Sequence, residues 1–344
     1  MISSLDIEQP EALQDYLRET GRIRADERPI IRVLDGGVSN RTVLVERETG
    51  EAWVLKQALE KLRVASDWFS SPQRIHREAE GLRWLAELTP PGSTVGFVFE
   101  DHTHHILAMQ AVPQPHQNWK TMLLNGDIQF DHVKQFGTLL GTLECRALER
   151  RDELEQVFKD RSFFESLRLE PYYVYTAGIV PEASGFLQTL IEETHANRIT
   201  LVHGDYSPKN ILVYQNRLIL LDHEVIHLGD PAFDLGFSMT HLLAKAHHLS
   251  TYRPRFLEAA RHYWKAYANA AASSLKPELE ARAVRNTLGC LLARAAGRSP
   301  LEYLDQSERA RQVRIVLQMI ARPPSDISTL IDEFATKLEE ESRP

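Results

Sequence analysis

Apolar and polar positions alternate with the period of a β-strand through much of the first third of the chain. Residues 30–34, 42–47 and 51–57 follow this pattern, and a turn-forming Glu-Thr-Gly sequence separates the last two. Residues 95–112 contain two further runs of the same kind. The pattern predicts a mainly β unit built from hairpins, which ends near Pro113.

One helical segment interrupts these strands. Ser71 and Pro72 form a favourable helix start, and apolar residues then recur at helical spacing. The recurring positions are Ile75, Ala79, Leu82 and Ala86. Glu78 falls beside this stripe, whereas Glu80 projects nearly opposite to it. Because a carboxylate that flanks a buried stripe needs a cation, Glu78 rather than Glu80 is predicted to have a cationic partner.

Helical periodicity dominates the rest of the chain, with one exception at its centre. The sequences NILVY and LILLD are two short apolar runs typical of strands. If Gln215 and Asn216 form the turn between them, antiparallel register places residue 210 opposite residue 221. Asn210 and Asp222 then lie at the same mouth of one hairpin.

The mouth of this hairpin combines groups suited to phosphate chemistry. The amide oxygen of Asn210 and the carboxylate of Asp222 are hard ligands of the kind that magnesium prefers. Asp205, in the loop just ahead, is placed to take a proton from a hydroxyl, and phosphoryl transfer needs mainly positioning and charge neutralisation. On its own, the His-Gly-Asp sequence at 203–205 is as typical of a turn whose aspartate caps the backbone.

Three motifs taken together resemble the aminoglycoside phosphotransferase and choline kinase superfamily, whose members are relatives of the protein kinases. They are HGDYSPKN at 203–210, LLDHE at 220–224 and GDPAFDLG at 229–236. The resemblance implies an α+β, protein-kinase-like bilobal fold. It divides the chain into a small, mainly β nucleotide-binding lobe at 1–112 and a larger, mainly α lobe at 113–344 that carries catalysis and acceptor binding.

The resemblance also implies roles for individual residues of the large lobe. Asp205 is the catalytic base, His203 braces its loop, and Asp234 holds that loop from behind. Asn210 and Asp222 bind magnesium. Lys209 departs from the small residue usual at its position, and two alternatives stay open for it: neutralising the transferred phosphoryl group, or a solvated loop lysine.

In the small lobe the resemblance points to ATP as the cofactor. LDGGVSNRT resembles the family's phosphate-covering loop, with Gly36, Gly37, Ser39 and Asn40 as its binding positions. Two glycines alone indicate no more than a hairpin turn.

By the same resemblance, Lys56 grips the α- and β-phosphates and pairs with Glu78, the alternative being a surface salt bridge. The backbone of Gln110 to Val112 is expected to meet adenine, with Met109 lining the pocket. These residues do not discriminate ATP from GTP.

Composition excludes several other classes of protein. A net charge of −8 and a pI near 6.0 provide no basic field for nucleic acid or an anionic membrane. Cys145 and Cys290 make neither a disulfide framework nor a cysteine-rich zinc site. No basic, apolar leader opens the sequence and no run of eighteen apolar residues occurs, so a cytoplasmic protein is expected.

The phosphate acceptor is predicted to be the hydroxyl of a small molecule. Only eleven residues separate Asp222 from Asp234, which leaves little room for a peptide-binding platform. An amino alcohol, a sugar or an aminoglycoside-like compound fits, although residues 150–175 interleave cations with acids and so suit a polycationic antibiotic poorly. The alternatives are a protein kinase for a dedicated partner and a non-catalytic nucleotide-binding regulator. Oligomeric state is left open.

Three other features are less specific. The sequence DHTHH at 101–105 is interpreted as a polar hairpin turn rather than a metal site. The aromatic-rich segment 163–175 is either core or a wall of the acceptor site. Arg294 and Arg298 either bind an anionic acceptor group or form ion pairs on a helix surface, and the second interpretation is preferred.

Overall fold

The structure is a computed structural model that describes residues 5–34, 37–64, 67–271 and 277–341. Gly36, one of the predicted phosphate-loop positions, lies outside the described residues.

The first part of the chain forms an antiparallel sheet with two helices. Its strands are β1 (Ile30–Val33), β2 (Asn40–Glu46), β3 (Ala52–Ala58), β4 (Phe97–Asp101) and β5 (Ile106–Gln110). The helices are α1 (Pro10–Glu19) and α2 (Arg74–Leu88). The strands are ordered β1-β2-β3-β5-β4, which confirms both hairpins predicted from the strand-period pattern.

Strand β3 separates two apolar layers because its side chains alternate between the faces of the sheet. Trp53 and Leu55 belong to the cluster that includes the buried side of α1, whereas Val54 packs against the cluster that includes α2. Lys56 shares the face of Val54. The strand period thus directs one lysine from the sheet toward the helix that carries Glu78.

The remainder of the chain is mainly helical, as predicted. Its short strands are β6 (Gln117–Asn118), β7 (Thr200–Val202), β8 (Ile211–Tyr214), β9 (Arg217–Leu220) and β10 (His227–Gly229). Its helices are α3 (Trp119–Leu124), α4 (Phe130–Glu149), α5 (Arg151–Phe158), α6 (Ser162–Phe164), α7 (Tyr175–Ile179), α8 (Ser184–Ala196), α9 (Pro231–His248), α10 (Arg253–Ala270), α11 (Pro277–Ala296), α12 (Gln306–Ile320) and α13 (Ile327–Glu340). A π-helical stretch, Glu165–Val174, links α6 to α7.

Glycines allow the long helices of this part to pack closely. A Cβ at Gly137 of α4 would lie 2.5 Å from the carbonyl oxygen of Tyr263 in α10. A Cβ at Gly236 of α9 would lie 2.5 Å from Cβ of Asn286 in α11. Such short separations exclude any larger residue without movement of a helix. No helix in the described part of the chain is both long and apolar enough to span a membrane.

The central hairpin has the predicted register. Strands β8 and β9 pair in antiparallel fashion with β6 on the outer side of β8. Gln215 and Asn216 form the turn with positive φ angles of 48° and 59°, as a two-residue type I′ turn requires. The Leu221 N–H donates to the carbonyl oxygen of Asn210 at 2.9 Å, so residues 210 and 221 are opposite.

Residues 102–105 form the polar turn between β4 and β5 that was predicted, but its surroundings differ from expectation. His76 of α2 stacks on His102, with ring centroids 3.9 Å apart and planes 6° apart. Glu100 lies 3.0 Å from His76 Nδ1 and 3.6 Å from His102 Nε2. One ligand atom from each of His76, Glu100 and His102 lies within 4.8 Å of the other two, so these three residues form a group that could hold a metal ion beside the predicted polar turn.

Lys245 of α9 is a buried cation whose removal is expected to stabilise the fold. Burial and the nearby Lys120 lower the pKa of Lys245 to about 7, with Glu302 opposing and Arg294 reinforcing the shift. In the unfolded chain a lysine titrates near 10.4. Between these values the unfolded state binds more protons, so this group makes stability rise with pH.

We therefore predict that Lys245→Met raises the melting temperature by a few degrees at pH 6–7. The gain should shrink at pH 9, because the free energy needed to deprotonate the unfolded lysine of the wild type falls as the pH approaches its unfolded pKa. Differential scanning calorimetry at the two pH values measures the effect, with the exposed Lys265→Met as a matched control. A gain independent of pH would contradict the lowered pKa of Lys245 as the cause.

Candidate active site

Lys56 joins the two parts of the structure through a pair of ionic hydrogen bonds. Its Nζ lies 2.6 Å from Glu78 Oε1 and 2.8 Å from Asp222 Oδ1. Burial alone would lower the pKa of Lys56, but the carboxylates of Asp222 and Glu78 outweigh burial and hold that pKa well above its ordinary value. Glu80 instead contacts Arg83. The helix-face argument therefore selected the glutamate that the structure pairs with a lysine.

Asp222 follows β9 and turns out of the hairpin with a φ of 69°. This left-handed conformation is tolerated by aspartate more readily than by most residues. Burial would raise the pKa of Asp222, but Lys56 and then Lys209 hold it below the ordinary value. The side chain is therefore an anion at neutral pH.

Asn210 stands beside Asp222 at the same hairpin mouth. Its amide nitrogen donates to the backbone oxygen of Asp205 at 3.0 Å and to Oδ2 of Asp205 at 2.7 Å. Both bonds use the amide nitrogen of Asn210, so its amide oxygen is left for another partner. An amide oxygen next to an ionised carboxylate is a donor set that fits magnesium.

Asp205 has a partner that sequence reasoning missed. Its Oδ2 lies 2.8 Å from Nη2 of Arg168, and Nε of Arg168 donates to the carbonyl oxygen of Gly204 at 3.1 Å. Arg168 comes from the π-helical stretch, which contains Pro171. The aromatic-rich composition of 163–175 drew attention to this segment, but no pattern distinguished its arginine from a surface residue.

The loop that carries Asp205 is held through its backbone. Asp234 Oδ2 accepts from the His203 N–H at 2.6 Å, and Oδ1 accepts from the Gly204 N–H at 2.8 Å. The Asp205 N–H donates to Nδ1 of His203 at 3.2 Å. Burial lowers the pKa of His203 to about 4, so its ring is neutral. Gly204 has a φ of +76°, a conformation that glycine adopts without strain.

A cavity of about 530 Å³ brings together residues from both parts of the chain. The predicted site residues that line it are Gly37, Ser39, Asn40, Lys56, Asp205, Lys209 and Asp222. Glu78, His203 and Asn210 lie behind this lining and contact Lys56 or Asp205. The cavity is not lined by Met109, Gln110 or Val112.

Two of the three backbone N–H groups of the predicted adenine linker are already hydrogen-bonded to neighbouring backbone. The Gln110 N–H donates to the Gly96 oxygen at 2.8 Å, and the Ala111 N–H donates to the Ala52 oxygen at 2.9 Å. The N–H of Val112 has no such partner among the residues that the structure describes. Val112 is therefore the linker position whose N–H is left for a ligand.

Arg74 is a second residue that sequence reasoning missed. It is fully buried at the start of α2, and its guanidinium donates to the backbone oxygens of Ser39 and Leu59. Its Nε lies 3.2 Å from Glu224 Oε2, two residues beyond Asp222. Arg74 thus ties the phosphate-loop candidate to the segment that carries the metal-ligand candidate.

The sequence of residues 30–277 matches the model of the phosphotransferase enzyme family, also called APH. The match spans well over half of the chain. The protein belongs to this family. It is a small-molecule phosphotransferase that acts on a hydroxyl group. Among curated proteins, none matches the sequence.

Solved structures share the fold of this phosphotransferase. The amicoumacin kinase hAmiN, in complex with AMP-PNP, Ca²⁺ and Ami, aligns with a TM-score of 0.58 and 13% identity over 91% of this chain and 94% of its own. The macrolide 2′-phosphotransferase MphH from Brachybacterium faecium aligns with a TM-score of 0.50 and 17% identity over 92% and 99%. At such identities the likeness shows the kinase-like fold alone.

Asp234 provides a test of how the loop that carries Asp205 is held. Replacing Asp234 by Ala leaves two buried backbone N–H groups without an acceptor, which is expected to cost about 2–5 kcal/mol in free energy of unfolding. Asp234→Asn keeps one oxygen acceptor and should lose less. Urea unfolding gives both values.

Asp332→Ala, which removes an exposed ion pair with Arg261, serves as the control and should change stability by less than about 1 kcal/mol. Equal losses for the Asp332 and Asp234 variants would show that Asp234 does not hold the loop.

Proposed function

We propose that this phosphotransferase moves the γ-phosphate of ATP to a hydroxyl of an amino alcohol, a sugar or an aminoglycoside-like compound. Asp205 acts as the base, and magnesium is held by Asn210 and Asp222. The observation that carries the proposal is that one cavity is lined both by the Lys56–Asp222 pair and by Asp205. A phosphate anchor and a base for the acceptor hydroxyl thus share one cavity.

Each group then has a defined task in the proposed reaction. Lys56 binds phosphate oxygens, with Glu78 keeping the amine in place from behind. Magnesium, when bound, neutralises charge on the phosphates. Asp205 takes the proton of the acceptor hydroxyl, while Asn210 and Arg168 fix the orientation of its carboxylate. Lys209 is exposed in the cavity, where its ammonium faces the charge of the transferred group.

A small acceptor suits the segment between Asp222 and Asp234 better than a protein does. Residues 223–233 are all buried, and they form strand β10 and the start of α9. A peptide platform requires exposed backbone or side chains at this position, so the protein-kinase alternative has no surface there.

A non-catalytic nucleotide-binding regulator is the second alternative. Such proteins usually lack the base, the lysine or a metal ligand, whereas Asp205, Lys56, Asn210 and Asp222 are all present. We place the reaction in the cytoplasm, because the two cysteines offer no disulfide framework.

Replacement of Asp205 tests the base. We predict that Asp205→Asn lowers kcat by about 100- to 10,000-fold, because proton removal is lost while the shape of the side chain is kept. Affinity for MgATP should be unchanged, since Asp205 is no metal ligand in this proposal. A coupled ADP-release assay and calorimetric titration with MgATP measure the two quantities. Turnover near the wild-type rate would remove Asp205 from this role.

Replacement of Asp222 tests the metal site. Asp222→Ala is expected to weaken MgATP binding by about 10- to 100-fold or more, because a ligand of the cation is lost. Binding of ATP in excess EDTA should change much less. Titrations with and without magnesium separate the two cases, and Asp205→Asn is the matched control for loss of an acid in the same cavity. An unchanged MgATP affinity would contradict the assignment.

A further inference from the structure

We propose that the acceptor of this phosphotransferase carries an anionic oxygen group, a carboxylate or a phosphate, which binds to Arg294 on the wall of the same cavity. The proposal rests on the proposed phosphoryl transfer and specifies the substrate class for it. It reverses the preference for surface ion pairing that the sequence favoured for this arginine.

The first argument is the hydrogen bonding of Arg294. Its Nη1 donates to the backbone oxygen and to Oγ of Ser299, and it contacts the Tyr172 hydroxyl at 3.3 Å. The opposite edge of the guanidinium, formed by Nε and Nη2, has no hydrogen bond to the described residues, and Nε is shielded from solvent. Nη2 is the nitrogen of this edge that is not shielded, and a charged guanidinium N–H binds carboxylate and phosphate oxygens strongly.

The second argument is the balance of charge in the cavity. Five cations and four anions line it, namely Lys56, Lys120, Arg168, Lys209, Arg294, Asp205, Asp222, Glu224 and Glu302. Lys56 pairs with Asp222, and Glu224 pairs with Arg74 behind the lining. Lys120 pairs with Glu302, and Arg168 pairs with Asp205. Arg294 has no carboxylate within ion-pair distance in the described part of the chain, and neither has Lys209. The unpaired charge is therefore positive, which attracts an anion and repels a polycation.

The third argument is His241, which lines the cavity although only 6% of it is exposed. Its Nε2 is buried without a hydrogen-bond partner. Burial, reinforced by Lys245 and Arg294, lowers the pKa of His241 well below its ordinary value, so the ring is neutral. A buried ring nitrogen without a partner is costly unless a ligand satisfies it. Because the ring is neutral, a hydroxyl of the acceptor would hydrogen-bond to Nε2 of His241 without being placed against another charged group.

The aromatic residues of the cavity indicate that the acceptor has a small carbon skeleton between these polar groups. Trp68, Tyr172 and Phe237 line the same cavity. Trp68 is held across the cleft, with Nε1 donating to the Ser166 oxygen at 3.3 Å. Because the nucleotide occupies part of the 530 Å³, the acceptor must be small. A hydroxy acid or a sugar phosphate meets these conditions.

Turnover with matched acceptors tests the proposal in the wild-type enzyme. The coupled ADP-release assay is run with glycerate, gluconate and glucose 6-phosphate, with their neutral counterparts glycerol and glucose, and with the cations choline, glucosamine and kanamycin. We expect kcat/KM for a carboxylate or a phosphate to exceed that of its neutral counterpart by about tenfold or more. Comparison of gluconate with glucose 6-phosphate distinguishes the two anionic groups.

Variants of Arg294 test the residue itself. Arg294→Gln should raise KM for the anionic acceptor about tenfold and remove the preference over the neutral counterpart, with kcat changed less and MgATP affinity unchanged. Arg294→Lys keeps the positive charge but not the planar guanidinium, and it should lose part of the preference for the anionic acceptor. Arg322→Gln, an exposed arginine outside the cavity, is the matched control.

The outcomes separate this proposal from the one on which it rests. ADP release that is equal or faster with neutral or cationic acceptors would overturn the anionic acceptor and leave phosphoryl transfer standing. A preference for anions that survives Arg294→Gln would overturn the role of Arg294. Absence of ADP release with every acceptor, whatever its charge, would overturn both proposals. The wild-type comparison decides the acceptor class even if an Arg294 variant does not fold.

Discussion

An ammonium group that is largely removed from water must be paired, and the pairing of Lys56 sets the relation between the sheet and the segment that carries Asp222. Glu78 reaches it from α2, and Asp222 reaches it from the end of the central hairpin. Loss of either carboxylate would leave excess charge in a low-dielectric site, so both elements are tied to one point. In the proposed reaction a nucleotide phosphate brings a new anion to Lys56. Asp222 can then turn its charge toward a divalent cation.

The loop that carries Asp205 obeys the same rule through backbone groups. Buried N–H groups need acceptors, and the carboxylate of Asp234 satisfies those of His203 and Gly204. The loop is therefore held from behind by its main chain, which leaves the side chain of Asp205 to face the cavity. A left-handed glycine directly before Asp205 makes the tight turn that this arrangement needs. His203, Gly204 and Asp205 are therefore consecutive because the first two are held by Asp234 and the glycine makes the turn that presents Asp205.

Features that depend on local periodicity could be predicted from the sequence, and features that depend on tertiary burial could not. The register of β8 with β9 follows from a two-residue turn, and the choice of Glu78 over Glu80 follows from helical spacing. Arg74 and Arg168 escaped prediction because a buried arginine is indistinguishable in sequence from an exposed one. The π-helical stretch around Pro171 also gave no periodic pattern, since its i→i+5 bonding depends on packing.

Overall composition describes the surface of this chain and says little about its cleft. The net charge of −8 is negative, yet among the described residues the cavity lining carries unpaired positive charge at Lys209 and Arg294. The cations of the cavity differ in their hydrogen-bond and ion-pair partners. Lys56 and Arg168 are bonded to acids of the reaction centre, Lys209 lies exposed beside that centre, and Arg294 is held by Ser299 with one edge unbonded. In the proposed reaction, the cation that neutralises the moving phosphoryl group and the cation that selects the acceptor are therefore different residues. Under the same proposal, acceptor specificity can change at Arg294 while the chemistry at Asp205 stays the same.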